Sequence, residues 1–363
     1  MRKFILAAAL AFAELALHSP VVAAQTHDVT APTNSYAQYQ LPVLANATLF
    51  DARGEQFELY WSKNTDPLGL CSVGPLPVNV YPIRNSGVAN GIAYGTQDAR
   101  WLGGLILGDI SMQFDRRLYD TAPYCNSASW LSTSNVSVGQ EIRQVRIDRA
   151  WDAIRISGDN CKLTVGLCDD VIDEVWLSNV RDDCIENDDF SGLVLTDSLL
   201  DGCFAGISAT NSCASCPSPR PHDVIQVDGV LMRLQGFPYT YDADGPTGPG
   251  GLAMTMHHIG PFKIYPALGP SVVIHDSVIA FEYYDGTRYA SWAEGWGRIA
   301  SCSNNYLLWM PDTPFPLPEG TTAYPPSCFT ILKGAAARVF WEQHKADWIA
   351  AHPTIQRAPG DPQ

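Results

Sequence analysis

Charge is scarce in this sequence of 363 residues. Asp, Glu, Lys and Arg make up 17% of it, with 23 basic residues against 38 acidic ones and a net charge of −15. A chain this acidic offers no basic face to a phosphate backbone, which argues against nucleic-acid binding. Beyond the first two dozen residues, no stretch approaches eighteen apolar residues, so no membrane span is expected. There is no Gly-x-Ser-x-Gly, no Gly-rich loop ahead of Lys-Ser/Thr and no His-Glu-x-x-His. A serine hydrolase, a nucleotidase and a zinc protease therefore lack local support. The middle of the chain also lacks a helical period of 3.6, which argues against a doubly wound sheet.

What is present begins with a short basic start (Arg2, Lys3), an apolar run over residues 4–17 and the small residues Val22, Ala23 and Ala24. Residues 1–24 are expected to be a secretory signal peptide, which makes the protein secreted or periplasmic. Residues 25–40 are expected to form an exposed leader. Apolar residues make up 46% of the chain, the composition of a folded protein and not of a disordered one. Ten cysteines in an exported chain imply disulfides. Two close pairs, Cys161 with Cys168 and Cys213 with Cys216, are spaced to pin loops.

Weak internal repeats set the fold expectation. One register reads Asp152-Ala153-Ile154, Asp183-Cys184-Ile185, Gly202-Cys203-Phe204 and Asp223-Val224-Ile225. A second reads Asn179-Val180, Asp197-Ser198-Leu199-Leu200, Asp228-Gly229-Val230-Leu231, Asp276-Ser277-Val278-Ile279 and Asn304-Asn305-Tyr306-Leu307. Short β-prone pieces alternate with Asp, Asn, Gly and Ser, which tolerate tight bends. The pattern predicts an all-β right-handed parallel β-helix over residues 41–332, each coil supplying two or three strands. Residues 161–170, 209–221 and 236–269 read as loops leaving its corners. Over residues 333–352 the spacing changes: Phe340, His344 and Trp348 stand four apart, as do Trp341, Lys345 and Ile349, with Pro353 as a stop. A C-terminal helix is expected there, covering an apolar surface or the open end of the solenoid.

The densest polar cluster is Arg181-Asp182-Asp183-Cys184-Ile185-Glu186-Asn187-Asp188-Asp189. So many carboxylates held together need solvent, a cation or a function to offset their repulsion. Asp152 on the previous coil and Asp201 on the next are expected to stack beside Asp182 and Asp183. Carboxylates on adjacent coils are about 5 Å apart, and those one coil further about 10 Å. Those separations bracket the geometries of glycosidic cleavage, in which one carboxyl donates a proton and the other activates water or attacks carbon.

Asp182-Asp183-Cys184-Ile185 resembles the Asp-Asp-Cys-aliphatic motif of polygalacturonase-type glycoside hydrolases, in the β-helix superfamily shared with pectate lyases. The resemblance implies Asp182 as the acid, with Asp152 and Asp183 positioning water. It also implies a bridge from Cys184 to Cys203 on the next coil. The family's Gly-His-Gly is absent, since this chain has Asp201-Gly202-Cys203-Phe204-Ala205-Gly206, and Phe262-Lys263-Ile264 only faintly echoes the family's Arg-Ile-Lys.

Three readings of the cluster stand at this stage: a hydrolase, a lyase and plain structural corners. As a hydrolase the protein needs no organic cofactor. As a lyase it would hold Ca²⁺ through Asp182, Asp183 and Glu186, with Lys263, Arg181 or Arg288 removing a proton beside a uronate carboxylate. As structural corners, the Asp and Asn residues only satisfy backbone amides. Glu186, His258, Lys263, Arg181 and Arg288 are the candidate substrate-binding residues, and Trp296 stands for the aromatics able to stack on sugar rings. The expected role is that of a monomeric carbohydrate-active enzyme acting on a polysaccharide or oligosaccharide. A glycan-binding protein without catalysis is the alternative from another class.

Overall fold

A computed structural model describes residues 49–54, 56–60, 80–84, 90–94, 100–107, 129–133, 140–150, 152–156, 170–180, 183–187, 192–209, 224–235, 237–239, 253–255, 260–264, 269–282, 295–312, 315 and 325–362. The expected signal peptide and leader lie outside these residues. The two expected loop-pinning pairs, Cys161 with Cys168 and Cys213 with Cys216, also lie outside them. The disulfide that the described residues do contain joins Cys302 and Cys328 near the last rungs, a pairing that sequence spacing did not single out.

The chain winds as a right-handed parallel β-helix with three sheets of eight, ten and six strands. One full coil shows the plan. Asp170–Asp173 lies in the eight-stranded sheet, Trp176–Ser178 in the ten-stranded sheet and Asp183–Asn187 in the six-stranded sheet. Each strand pairs in parallel with its counterparts one coil away. Ile172 therefore faces Ile142 on one side and Leu195 on the other, while Leu177 lies between Ile147 and Leu200. In the six-stranded sheet, Ile154, Ile185, Ile207 and Phe262 form the inward ladder. Alternation puts these residues on one face, where all are essentially solvent-free and merge into one core.

The corner between the eight- and ten-stranded sheets depends on a left-handed residue. Gly103, Gln144, Glu174, Asp197, Gly229, Asp276 and Asn304 occupy it in turn, with φ between 39° and 73°. An L-residue there costs roughly 1–2 kcal/mol relative to the right-handed region. The cost is offset by hydrogen bonding along the stack. The Asp197 N–H donates to Asp228 O at 2.9 Å, and the Gly229 N–H to His275 O at 3.2 Å. The following small polar residue completes the turn. Ser198 Oγ accepts from the Val175 N–H, Ser277 Oγ from the Val230 N–H and Asn305 Oδ1 from the Ser277 N–H.

The second repeat register thus marks this corner, save that Glu174-Val175 belongs to it and Asn179-Val180 turns the next one. The first register needs correction. Ile154 and Ile185 do pair, but Phe204 stands at a corner and Ile225 pairs with Leu193 and Val272 in the eight-stranded sheet. The stretch 236–269 is likewise not all loop. Phe237–Tyr239 and Ala253–Thr255 form an antiparallel pair, and Gly260–Ile264 is a full rung of the six-stranded sheet. Gly260 and Pro261 disguised that rung as a turn.

Helix α1 spans Gly334–Ala351 and lies on the outer face of the ten-stranded sheet. That face is apolar along one column, Trp176, Leu199, Leu231, Val278 and Tyr306, where a solvated sheet would carry polar side chains. Ala337, Trp341, Trp348 and Ile349 cover it. The tail then returns toward earlier coils. Trp176 meets the Trp348 ring edge-on at 6.3 Å and lies under the guanidinium of Arg146, which grips Asp361 through two hydrogen bonds of 2.9 Å. Because Trp341 is wholly enclosed, Trp341→Ala is expected to lower unfolding free energy by about 3–5 kcal/mol. Urea titration followed by tryptophan fluorescence and circular dichroism measures this.

Candidate functional site

The six-stranded sheet gathers most of the described candidates. Asp152 and Asp183 are the first residues of consecutive strands, Asp152–Ile156 and Asp183–Asn187, and are both nearly sealed from solvent. The Asp183 N–H donates to Asp152 Oδ1 at 3.1 Å, so Asp152 anchors the start of the Asp183–Asn187 strand. Asp170 does the same at the start of its own strand, accepting from the Gln140 N–H at 2.9 Å. Lys263 reaches back from a later rung and places its Nζ 3.1 Å from Asp183 Oδ2.

Further along these strands runs an outward column. Arg155 pairs in register with Glu186, Glu186 with Ser208 and Ser208 with Lys263. Arg155 and Glu186 form an ion pair at 3.5 Å. Ser208, fully buried between a carboxylate and an ammonium, makes no hydrogen bond through its hydroxyl among the described residues. The column therefore carries a cation, an anion, a hydroxyl and a cation on four successive rungs, with the Ser208 hydroxyl to spare between Glu186 and Lys263. Sequence reasoning missed Arg155 and Ser208. Arg155 was visible three residues after Asp152, where Glu186 follows Asp183. Ser208 became visible only with the register.

Asp201 does not join this group. It lies on the outer face of the ten-stranded sheet, one corner earlier, and the residue in register with Asp183 on the next coil is Ala205. The bulge at Gly202, with φ of 101°, separates the two sheets. Asp201 instead ties the helix to the coils. It accepts from Arg233 Nε at 2.6 Å and from Lys345 Nζ at 2.5 Å, while Arg233 also pairs with Glu282. Burial works to raise the Asp201 carboxyl. The Arg233 and Lys345 charges, with their hydrogen bonds, outweigh it and hold the group below its ordinary value of 3.8.

Two further expectations change. Trp296 is a core residue and not a sugar platform; its ring meets Phe329 edge-on at 5.3 Å. The neighbouring Gly295 lies so close to the Gly260–Ile264 strand that a Cβ there would sit 2.6 Å from Phe262 O. Cys184 and Cys203 are not bridged. They are two free, buried thiols in contact, and burial first, then Cys203, pushes the Cys184 thiol well above its ordinary range. Such a group has little thiolate character and acts as apolar filling. Asp182, Arg181, His258 and Arg288 lie outside the described residues, as do the loop cysteines Cys161, Cys168, Cys213 and Cys216.

Asp201 generates a stability prediction. Asp201→Asn leaves the Lys345 ammonium without its counter-charge and Arg233 with Glu282 alone, and is expected to cost about 1–3 kcal/mol, less than a fully buried pair because both cations are partly exposed. A carboxyl lowered in the folded state contributes stability above its unfolded value. That contribution is present at neutral pH and is lost as pH falls from about 4 through the folded-state value. Urea unfolding between pH 7 and pH 3 should show the acid loss in the parent and a smaller one in the variant; equal slopes would remove Asp201 from the account. No protein-family model matches the chain, nor does any curated protein or any solved structure.

Proposed function

We propose that the protein is an exported carbohydrate-active enzyme that hydrolyses a polysaccharide at the six-stranded sheet. One observation carries the reading: Asp183 is met there by Asp152 from the coil before and by Lys263 from a later rung. Adjacent rungs lie about 4.8 Å apart, close enough for Asp152 to brace the start of the Asp183 strand directly. In this reading Asp182, one residue before the anchored Asp183, protonates the leaving glycosidic oxygen. Asp183 orients the attacking water, and Asp152 is a positioning residue that holds the Asp183 backbone. Lys263, Glu186 and Arg155 bind sugar hydroxyls or a sugar carboxylate.

The ion pair favours hydrolysis over β-elimination. A lysine held as an ammonium against Asp183 has no lone pair with which to take a proton from a uronate, whereas it suits recognition of an acidic sugar. Hydrolysis by this set needs no organic cofactor and no Ca²⁺.

A panel of neutral and acidic polysaccharides tests the reading, with reducing ends and ultraviolet absorbance both recorded. New reducing ends without an absorbing unsaturated product are expected. Asp182→Asn should reduce turnover by about 10²–10⁴-fold with circular dichroism unchanged. Lys263→Met should raise KM more than it lowers kcat. Near-normal turnover by the folded Asp182→Asn protein would reject the assignment. Absorbing products would replace hydrolysis with elimination, and saturable glycan binding without new ends would replace catalysis with recognition.

A further inference from the structure

Ser208 is the polar group of the six-stranded sheet to which hydrolysis gives no task. It stands inside the outward column, in register with Glu186 on the rung before and with Lys263 on the rung after. Its side chain is wholly enclosed, and its hydroxyl meets no donor or acceptor among the described residues. A hydroxyl in that state has lost its water and gained no partner, a penalty that alanine at the same place would avoid. Its register neighbours hold other groups: Glu186 pairs with Arg155 at 3.5 Å and Lys263 with Asp183 at 3.1 Å. The hydroxyl is thus unpaired in a column of charged side chains and not in an apolar pocket.

The path of Lys263 shows what lies over this position. Strand Ala205–Ala209 stands between strands Asp183–Asn187 and Gly260–Ile264. Lys263 starts at the register position of Ser208, and its Nζ ends at Asp183, whose register partner on the intervening rung is Ala205. The four-carbon stem therefore crosses that rung on the diagonal, beside Ser208. A lysine stem is flexible, and its ammonium carries three N–H groups. Lys263 can keep one of them on Asp183 and turn another to a new oxygen with no change in the backbone. That shift of the stem uncovers the outer side of Ser208.

The column also selects the chemistry of the group that Ser208 can take. A carboxylate set against it would stand about 4.8 Å from Glu186, one rung away, and be repelled. A cation would be repelled by Lys263 in the same way. An uncharged hydroxyl suits both sides, because it accepts from Ser208 and donates to Glu186 while Lys263 donates to a neighbouring oxygen. Sugar rings carry hydroxyls side by side, so a single ring can supply both oxygens.

Resting on the reading of this sheet as the place where a polysaccharide is held, we infer that Ser208 is a specificity-determining residue that binds a free sugar hydroxyl when the Lys263 stem shifts toward the substrate. The unpaired hydroxyl weakens the free protein and finds its partner in the complex. A sugar with no hydroxyl at that point leaves Ser208 and Glu186 facing an unmatched group and binds less well.

The test uses the full mature chain and whichever polysaccharide of the neutral and acidic panel yields most new reducing ends. Ser208→Ala should raise KM about 3–10-fold and leave kcat within about twofold of the parent, as the loss of a hydrogen bond made equally in ground and transition states. The free Ser208→Ala protein should melt at the same temperature as the parent or higher, since a buried unpaired hydroxyl is gone. Ser208→Cys, which keeps the shape and a weaker donor, should fall between the two in KM. The KM ratio of variant to parent should not change with salt; a ratio that falls as salt rises marks a charged group and overturns the choice of a hydroxyl. An unchanged KM overturns the inference. So does a lowered melting temperature whatever KM does, because the hydroxyl then serves the fold. If Asp182→Asn abolishes turnover while Ser208→Ala matches the parent, hydrolysis stands and Ser208 falls. If no polysaccharide is cut, migration through gels containing each one replaces turnover, and Ser208→Ala should be retarded less than the parent. A parent that is neither active nor retarded overturns both readings.

Discussion

Register between neighbouring rungs is the constraint on which the rest depends. Parallel pairing fixes each residue opposite its counterpart at about 4.8 Å, and one residue of slip would turn every side chain to the other face. Ile142, Ile172, Leu195, Val227 and Ile274 form a single ladder because that pairing is kept across coils of unequal length. The left-handed corner residues and the small polar residues after them reset the pairing at each turn. They absorb the variation in loop length that would otherwise accumulate as slip.

The same rule explains why the candidate residues separate into different places. Register carries Asp152 to Asp183 and continues the column through Ala205, while Asp201 falls in another sheet with Arg233 and Lys345. Residues close together in sequence diverge here, and residues eighty positions apart, Asp183 and Lys263, meet. A buried ion pair of this sort is weak support for stability, since desolvation consumes most of its attraction. Its value lies in fixing a lysine and a carboxylate at a defined place on the sheet.

Much of this architecture was legible in the sequence. The corner signal Asp-Ser or Asn-Asn followed by apolar residues is set by local backbone chemistry, so it survives reading one segment at a time. The helix was legible for the same reason, through its spacing of aromatic residues. The ladder of the six-stranded sheet was only half legible. Ile207 and Phe262 are separated by a stretch whose length says nothing about pairing, and Gly260-Pro261 looks like a turn until its partners are known. The acidic pair was readable as a cluster, but its relation to Asp201 was not. A bulge at one glycine decides which sheet that carboxylate joins.

Helix α1 and its tail run against the direction of stacking. Arg338 bonds Met310 O near the last rungs, Lys345 and Trp348 reach Asp201 and Asp197, and Asp361 ends on Arg146. An ordinary solenoid is coupled only between nearest neighbours and can fray from either end. This one carries a lengthwise splint that ties distant coils to one another. Loosening the terminal coil then strains attachments many coils away, so the barrel gives way as a whole and not rung by rung.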